Sequence, residues 1–166
     1  MSQRELTSVD RLLVEVDGML KTLARRGASA MRPSPAAGHS DGALSDRERK
    51  HSGGLMRVNH TGEVCAQALY QGQAMTAKSA GTRTEMQEAA QEEIDHLVWC
   101  EERLEELGTR PSVLNPLFYG ASLAMGAAAG LVGDSVSLGF VHATEERVAS
   151  HLRSHLKTLP ETDRKS

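Results

Sequence analysis

The stretch that decides the fold is AAQEEIDHLVWCEERLEEL, residues 89–107. At about 100° of rotation per residue, its apolar residues share one face of an α-helix, which predicts a helix that packs on a core. Glu93 and His96 fall on that same face, where an unpaired ionised group is costly. They therefore need a buried partner. The remaining acidic residues are predicted to point to solvent: Glu92, Asp95, Glu101, Glu102, Glu105 and Glu106.

Two other predicted helices repeat this anomaly. Glu145 lies in the middle of an apolar stripe of the last helix, whereas Glu146 is rotated about 100° away from it. In the first long helix, Glu63 lies on one line with Met56 and Tyr70, which precede and follow it by two helical turns. The sequence thus predicts three carboxylates and one imidazole on the apolar faces of three helices.

A bound cation is the most economical partner for these four side chains. Carboxylates and a neutral imidazole are suitable ligands for iron or manganese. Di-iron carboxylate bundles use a Glu from each of two helices and a Glu-x-x-His from each of the other two. Glu63 and Glu145 would be the single ligands, and Glu93-x-x-His96 would be one of the pairs. A lone Glu-x-x-His is a weak signal, so the hypothesis rests on the shared placement of all four residues.

The other residues that commonly bind metals indicate no further site. Cys65 and Cys100 are too few for a disulfide framework and lack CxxC spacing, which fits a reducing compartment. They are predicted to be small buried apolar residues. Five of the six histidines outside the motif are predicted to be solvated or to support the ligands: His51, His60, His142, His151 and His155.

Periodicity divides the chain into one helical domain and an N-terminal appendage. No stretch alternates with period two, and aromatic residues make up 3% of the 166 residues, so an all-α bundle is predicted. The predicted core helices span 45–78, 83–107, 116–131 and 135–159, with an interruption at Gly53–Gly54. The predicted division is an N-terminal amphipathic helix over 1–26, a linker over 27–44 and the bundle over 45–166.

Charge excludes one class of partner and singles out one segment. The chain has 19 basic and 22 acidic residues without a basic block, which argues against binding to nucleic acid. Its start has no secretory signal, which indicates a cytoplasmic protein. Residues 111–133 carry no charge over 23 residues. The third helix is therefore predicted to face lipid or an oligomer partner and to form one wall of a substrate channel, the alternative being burial within the bundle.

Three blocks of the sequence resemble a known family. They are LMRVNHTGEVCAQALYQGQ from residue 55, EEIDHLVWCEERLEELGTRPSVLNPLFYGASLAMGAAAGL from residue 92, and ATEE from residue 143. Over about residues 44–160 the chain is similar to the bacterial demethoxyubiquinone hydroxylases, the ferritin-like di-iron monooxygenases of ubiquinone biosynthesis. The resemblance implies a ferritin-like four-helix bundle. The metal ligands that it implies, catalytic through the metal, are Glu63, Glu93, His96 and Glu145.

The resemblance further implies a reaction and its setting. Such an enzyme would hydroxylate a polyprenyl methoxy-methyl-benzoquinone with O2, two Fe ions and NADH or another reductant. It would lie peripherally on the cytoplasmic face of the bacterial inner membrane, with other ubiquinone-biosynthesis proteins as further partners. Two alternatives stay open. One is a ferritin-like protein that scavenges peroxide or O2 with the same ligands, and the other is a non-enzymatic, membrane-associated helical module.

The family pattern continues with another helix that carries a second Glu-x-x-His, whereas this sequence stops at Ser166. The chain is therefore expected to be truncated at its C-terminus and to show an open groove beside its four ligands. We expect such a chain to bind iron weakly or not at all and to lack hydroxylase activity. A longer form with the second pair is expected to restore both properties.

Overall fold

The computed structural model describes residues 29–166 and, before them, Thr7, Asp10, residues 16–20 and Thr22. This described part is helical and contains no β-strand, which confirms the predicted all-α class. Its long helices are α1 (Asp46–Thr76), α2 (Ala80–Glu106), α3 (Asn115–Val132) and α4 (Asp134–Leu156). The predicted N-terminal helix lies mostly outside the described residues. Those described between residues 10 and 22 are helical.

Local capping determines where the first two helices begin. The Ser45 hydroxyl accepts a hydrogen bond from the backbone N–H of Glu48, and the Glu48 carboxylate accepts one from the backbone N–H of Ser45. The Ser79 hydroxyl caps α2 by accepting from the backbone N–H of Thr82. Because of this cap, α2 begins three residues before the predicted start.

Two further predictions about the extent of the helices are wrong. The expected interruption at Gly53–Gly54 is absent, and α1 runs through both glycines. A Cβ at Gly53 would lie 2.8 Å from the Cγ2 atom of Thr109, so this glycine allows close packing rather than a break. At the other end of the chain, α4 ends at Leu156 because the next backbone N–H groups turn back onto the last helical carbonyls.

Helices α1 and α3 cross at glycines. A Cβ at Gly126 would lie 2.1 Å from the backbone oxygen of Leu69, and one at Gly72 would lie 2.2 Å from the backbone oxygen of Leu123. Gly130, one turn beyond Gly126, is buried in the same contact. The two backbones therefore touch at a separation that only glycine permits, as in small-x-x-x-small helix packing.

The other face of α3 is apolar and exposed. Leu117 is 68% exposed, Met125 is 54% exposed and Leu131 is 67% exposed. The uncharged segment is thus buried against α1 on one face and exposed on the other. The predicted burial within the bundle describes the first face, and the predicted exposure to lipid or a partner describes the second. None of the described helices is long and apolar enough to cross a bilayer.

A buried polar junction joins α1, α2 and the start of α3. His60 is 2% exposed, its Nε2 lies 3.3 Å from Glu101 Oε1, and its Nδ1 lies 3.2 Å from Asn115 Nδ2. The hydroxyl of Thr61 lies 2.9 Å from Asn115 Oδ1. His60 is therefore a buried supporting group, and Glu101 points partly into the bundle rather than to solvent as predicted. The junction fixes α1 against α2 one turn before Glu63.

Candidate metal centre

Glu63, Glu93 and His96 converge between α1 and α2. Their ligand atoms all lie within 4.8 Å of one another. His96 Nδ1 is 3.0 Å from Glu93 Oε2 and 3.9 Å from Glu63 Oε2. Both carboxylate side chains are 14% exposed, whereas the His96 side chain is 40% exposed. The structure thus brings together three residues that helical periodicity placed on apolar faces.

The two carboxylates repel each other unless a proton or a cation lies between them. Burial, a hydrogen bond to Glu93 and the charge of Glu93 together raise the pKa of Glu63 to about 8. The hydrogen bond to Glu93 also raises the pKa of His96, against its partial burial. At neutral pH the metal-free cluster therefore holds a proton on Glu63, hydrogen-bonded to Glu93.

This donor set fits a metal ion. Two carboxylates and one imidazole match the ligand preference of iron and manganese, and a bound cation would replace the proton that Glu63 holds. Within the described residues, no other group of three or more His, Cys, Asp or Glu side chains is close enough to hold an ion. The cluster is therefore the candidate metal centre, and the ligand role of its residues stays a prediction.

Glu145 faces the same groove from α4 but lies outside the close cluster. Its side chain is exposed, in contrast to the inward placement predicted from the apolar stripe. The reason is that α4 leaves the groove open on this side. Tyr70 is 2% exposed, and its hydroxyl lies within reach of the Glu145 carboxylate. Burial and then the charges of Glu93, Glu145 and Glu63 raise the pKa of Tyr70, so the phenol stays protonated as a donor.

An open groove of about 560 Å³ runs beside the cluster, as the sequence predicts. Its apolar lining includes Met56 and Ala66 of α1 and Val148, Ala149 and Leu152 of α4, and further apolar residues come from α2 and from the segment before α1. None of the described residues that line it belongs to α3. The prediction that the third helix forms a wall of the channel is therefore wrong for this groove, because α3 packs on a different face of α1.

One acidic residue of the stretch 89–107 is buried, although it was predicted to point to solvent. Asp95 is 1% exposed and binds Arg32, which precedes it by 63 residues. The Arg32 hydrogen bond lowers the pKa of Asp95. Periodicity within α2 could not reveal this, because the partner lies in the segment predicted to be a linker. Tyr70 was visible on the same line as Glu63 in the sequence but carried no signal of a role in the site.

A bundle of helices with a carboxylate–imidazole cluster between two of them defines the class: a ferritin-like helical protein with a candidate metal centre. Residues 50–166 match the family model described as "Ubiquinone biosynthesis protein COQ7". The chain belongs to this family, and the resemblance stated from the sequence is confirmed.

Curated relatives are similar over nearly the whole chain. The 3-demethoxyubiquinol 3-hydroxylase of Pseudomonas aeruginosa (strain UCBPP-PA14) is 58% identical over 165 residues, which cover 99% of this chain and 77% of that protein. The protein of the same name from Chromohalobacter salexigens is 59% identical over 163 residues, covering 98% and 76%. That of Pseudomonas fluorescens (strain SBW25) is 57% identical over 165 residues, covering 99% and 77%.

Proposed function

We propose that this protein is an O2-dependent hydroxylase of ubiquinone biosynthesis that acts on a polyprenyl methoxy-methyl-benzoquinone or its quinol. The observation that carries the proposal is the Glu63, Glu93 and His96 cluster at the side of an open, largely apolar groove. The printed name of its relatives, 3-demethoxyubiquinol 3-hydroxylase, supports the choice of substrate and reaction. The reaction inserts one oxygen atom at an unsubstituted ring carbon.

Iron is the metal that we propose for this site. Glu63, Glu93 and His96 would hold it from α1 and α2, and Glu145 would add a carboxylate from α4. When bound, two Fe ions would supply O2 activation, with electrons from NADH or another reductant. The proton on Glu63 must leave when the metal binds, so this carboxylate couples metal binding to proton release.

The chain's own residues prepare the site for a ring substrate. The hydrogen bond to Glu93 orients the imidazole of His96. Tyr70 keeps its proton beside three carboxylates and can orient Glu145 through a hydrogen bond. The apolar side chains of α1 and α4 exclude water from one side of the groove and would contact the face of the ring.

A labelled-oxygen assay tests the proposed function. The Fe(II)-loaded protein is given NADH, labelled O2 and a short-tailed benzoquinol with one methoxy group, one methyl group and a free ring position. The 166-residue chain is assayed beside a form extended by a helix with a second Glu-x-x-His. We expect one labelled oxygen atom in the product of the extended form. Consumption of O2 or peroxide without a labelled product would instead support a scavenger, and iron-free, inactive protein of both lengths would support a non-enzymatic module.

A polyprenyl substrate must be drawn from lipid, so we also propose that the protein binds the cytoplasmic face of the inner membrane. The exposed apolar face of α3 supports this, with Leu117 and Met125 among its residues. Binding to other ubiquinone-biosynthesis proteins through this face belongs to the same proposal. Leu123 is not suitable for a test, because its side chain packs against the core cluster around Val64.

Leu117→Asp is expected to lower binding to phosphatidylethanolamine and phosphatidylglycerol vesicles by about tenfold, because it places a charge in the proposed contact. Flotation of the vesicles measures the bound fraction. Leu156→Asp is the matched control: Leu156 is 66% exposed on α4, close to the 68% of Leu117, and should leave binding unchanged. Equal binding by the Leu117 variant and the wild type would reject the role of this face.

A further inference from the structure

The segment before the bundle is fixed to α2 by a buried carboxylate. Asp95 is 1% exposed, and its two oxygens accept from different donors of this segment. Oδ1 accepts from the backbone N–H of Met31 at 2.7 Å, and Oδ2 accepts from Nε of Arg32 at 2.8 Å. Charge-assisted hydrogen bonds to a desolvated carboxylate are among the stronger polar contacts in proteins. The segment is therefore anchored at this point, in contrast to a free linker.

A second contact lies one turn further along α2. The indole Nε1–H of Trp99 donates to the backbone oxygen of Arg32 at 3.3 Å, and the Arg32 guanidinium carbon lies 5.7 Å from the centre of the Trp99 ring. The same indole ring lies 5.3 Å from the imidazole of His96. Trp99 thus contacts the anchored segment on one side and a residue of the candidate metal centre on the other.

Beyond the anchor, the segment forms part of the groove. Ser34, Pro35 and Ala36 line it together with Glu93, His96 and Trp99. Prolines at positions 33 and 35 restrict the backbone, and the backbone N–H of Ala37 closes a turn onto the oxygen of Ser34 at 2.9 Å. We call residues 31–36 the strap. The three side chains of the strap that line the groove, Ser34, Pro35 and Ala36, are small.

We infer that the strap is the wall that contacts the substrate ring and that Asp95 is the positioning residue that holds it at the right distance. This inference rests on the proposed function, and it adds the residues that select the ring. Asp95 contributes nothing to the groove lining itself and acts through Met31 and Arg32. If the anchor is lost, the wall moves away from the ring, and the groove loses its fit to a small, flat quinone or quinol.

Asp95→Asn should break the anchor, because an amide cannot accept from two separate donors with two oxygens. Arg32→Ala removes the same bond from its other end, and the Arg32 side chain is half exposed, so this variant does not endanger folding. Because both variants break one interaction, their effects should not add in the double variant. Glu88→Gln is the control: it makes the same acid-to-amide change at an exposed position of α2 outside the groove.

Trp99 is the chain's one tryptophan, so its fluorescence reports directly on the strap. The probe is a short-tailed methoxy-methyl-benzoquinone, titrated into metal-free protein while quenching of Trp99 is followed. We expect its Kd to rise about tenfold in Asp95→Asn and in Arg32→Ala, and acrylamide to reach Trp99 more readily. In turnover by the form extended with a second Glu-x-x-His helix, KM should rise while kcat changes little. Iron binding and helix content should stay at the wild-type level, as should every property of Glu88→Gln.

Three results would overturn the inference. They are a probe Kd that is unchanged in both variants, a loss of iron binding equal to the loss of probe binding, or a wild-type protein that does not bind the probe. Failure of the proposed function would look different, since the probe would bind in an Asp95-dependent way without any labelled product. Failure of the inference alone would give labelled product with a KM that does not depend on Asp95.

Discussion

Gly126→Ala is expected to destabilise the protein by about 2–4 kcal/mol, the cost of overpacking a tight contact. The added Cβ would lie 2.1 Å from the backbone oxygen of Leu69 and 2.9 Å from its backbone carbon. Both are backbone atoms of a helix, so they cannot move aside as a flexible side chain would. The clash can only be relieved by separating α1 from α3. Urea unfolding followed by circular dichroism measures the change.

Gly120→Ala is the matched control on the same helix. A Cβ at Gly120 would meet no atom within 4 Å, and the residue is exposed. Alanine is the better helix former, so this variant should gain about 0.5–1 kcal/mol. Opposite signs for the two substitutions would support the close crossing of α1 and α3. A Gly126→Ala protein as stable as the wild type would show that the helices do not cross at this separation.

Glu63→Gln is expected to act in opposite directions on metal binding and on metal-free stability. It removes a ligand, so iron affinity should fall by more than about 100-fold. It also removes a carboxylate that cannot ionise easily beside Glu93. Because the folded pKa of Glu63 is raised from 4.5 to about 8, its contribution to the stability of the metal-free protein is full below pH 4.5 and is lost as pH rises towards 8.

The Glu63→Gln variant does not lose stability as the pH rises towards 8. At about pH 9 the metal-free variant should therefore be more stable than the wild type by about 1–3 kcal/mol. The difference should shrink as the pH falls from about 8 towards 4.5, and it should be constant below that, where the wild-type carboxyl is protonated in both states. Chemical unfolding over this pH range measures it, and Glu88→Gln, an exposed acid on α2, should show no such pH dependence. A stability difference between the wild type and the variant that is the same at pH 5 and at pH 9 would contradict the raised pKa.

The central part of the site could be predicted from the sequence because it depends on local geometry. Glu93 and His96 are three residues apart on one helix, and Glu63 is on an apolar stripe of another, so periodicity alone placed them on facing surfaces. The distance of Glu145 from the cluster could not be predicted in this way. Its position on a stripe was clear, but how closely α4 approaches the cluster depends on packing between helices.

The strap shows the limit of reasoning from periodicity. Asp95 is separated from its partner Arg32 by 63 residues, and the partner lies in a Pro- and Gly-containing segment without period. An acid beside other acids on an amphipathic helix is normally solvated, so the pattern pointed the wrong way. The glycines of α3 are a similar case. Only the structure shows that they pack against α1 and which face of α3 stays open.

Anaerobic titration of Fe(II) into metal-free protein tests the central claim most directly, because it asks whether the cluster of Glu63, Glu93 and His96 binds iron. Calorimetry in buffers of different ionisation enthalpy gives both the affinity and the number of protons released. We predict weak but saturable binding with proton release that declines as the pH approaches 8, loss of this binding in Glu93→Gln, and wild-type binding in Glu88→Gln. Equal iron binding by the Glu93→Gln variant and the wild type would contradict the account.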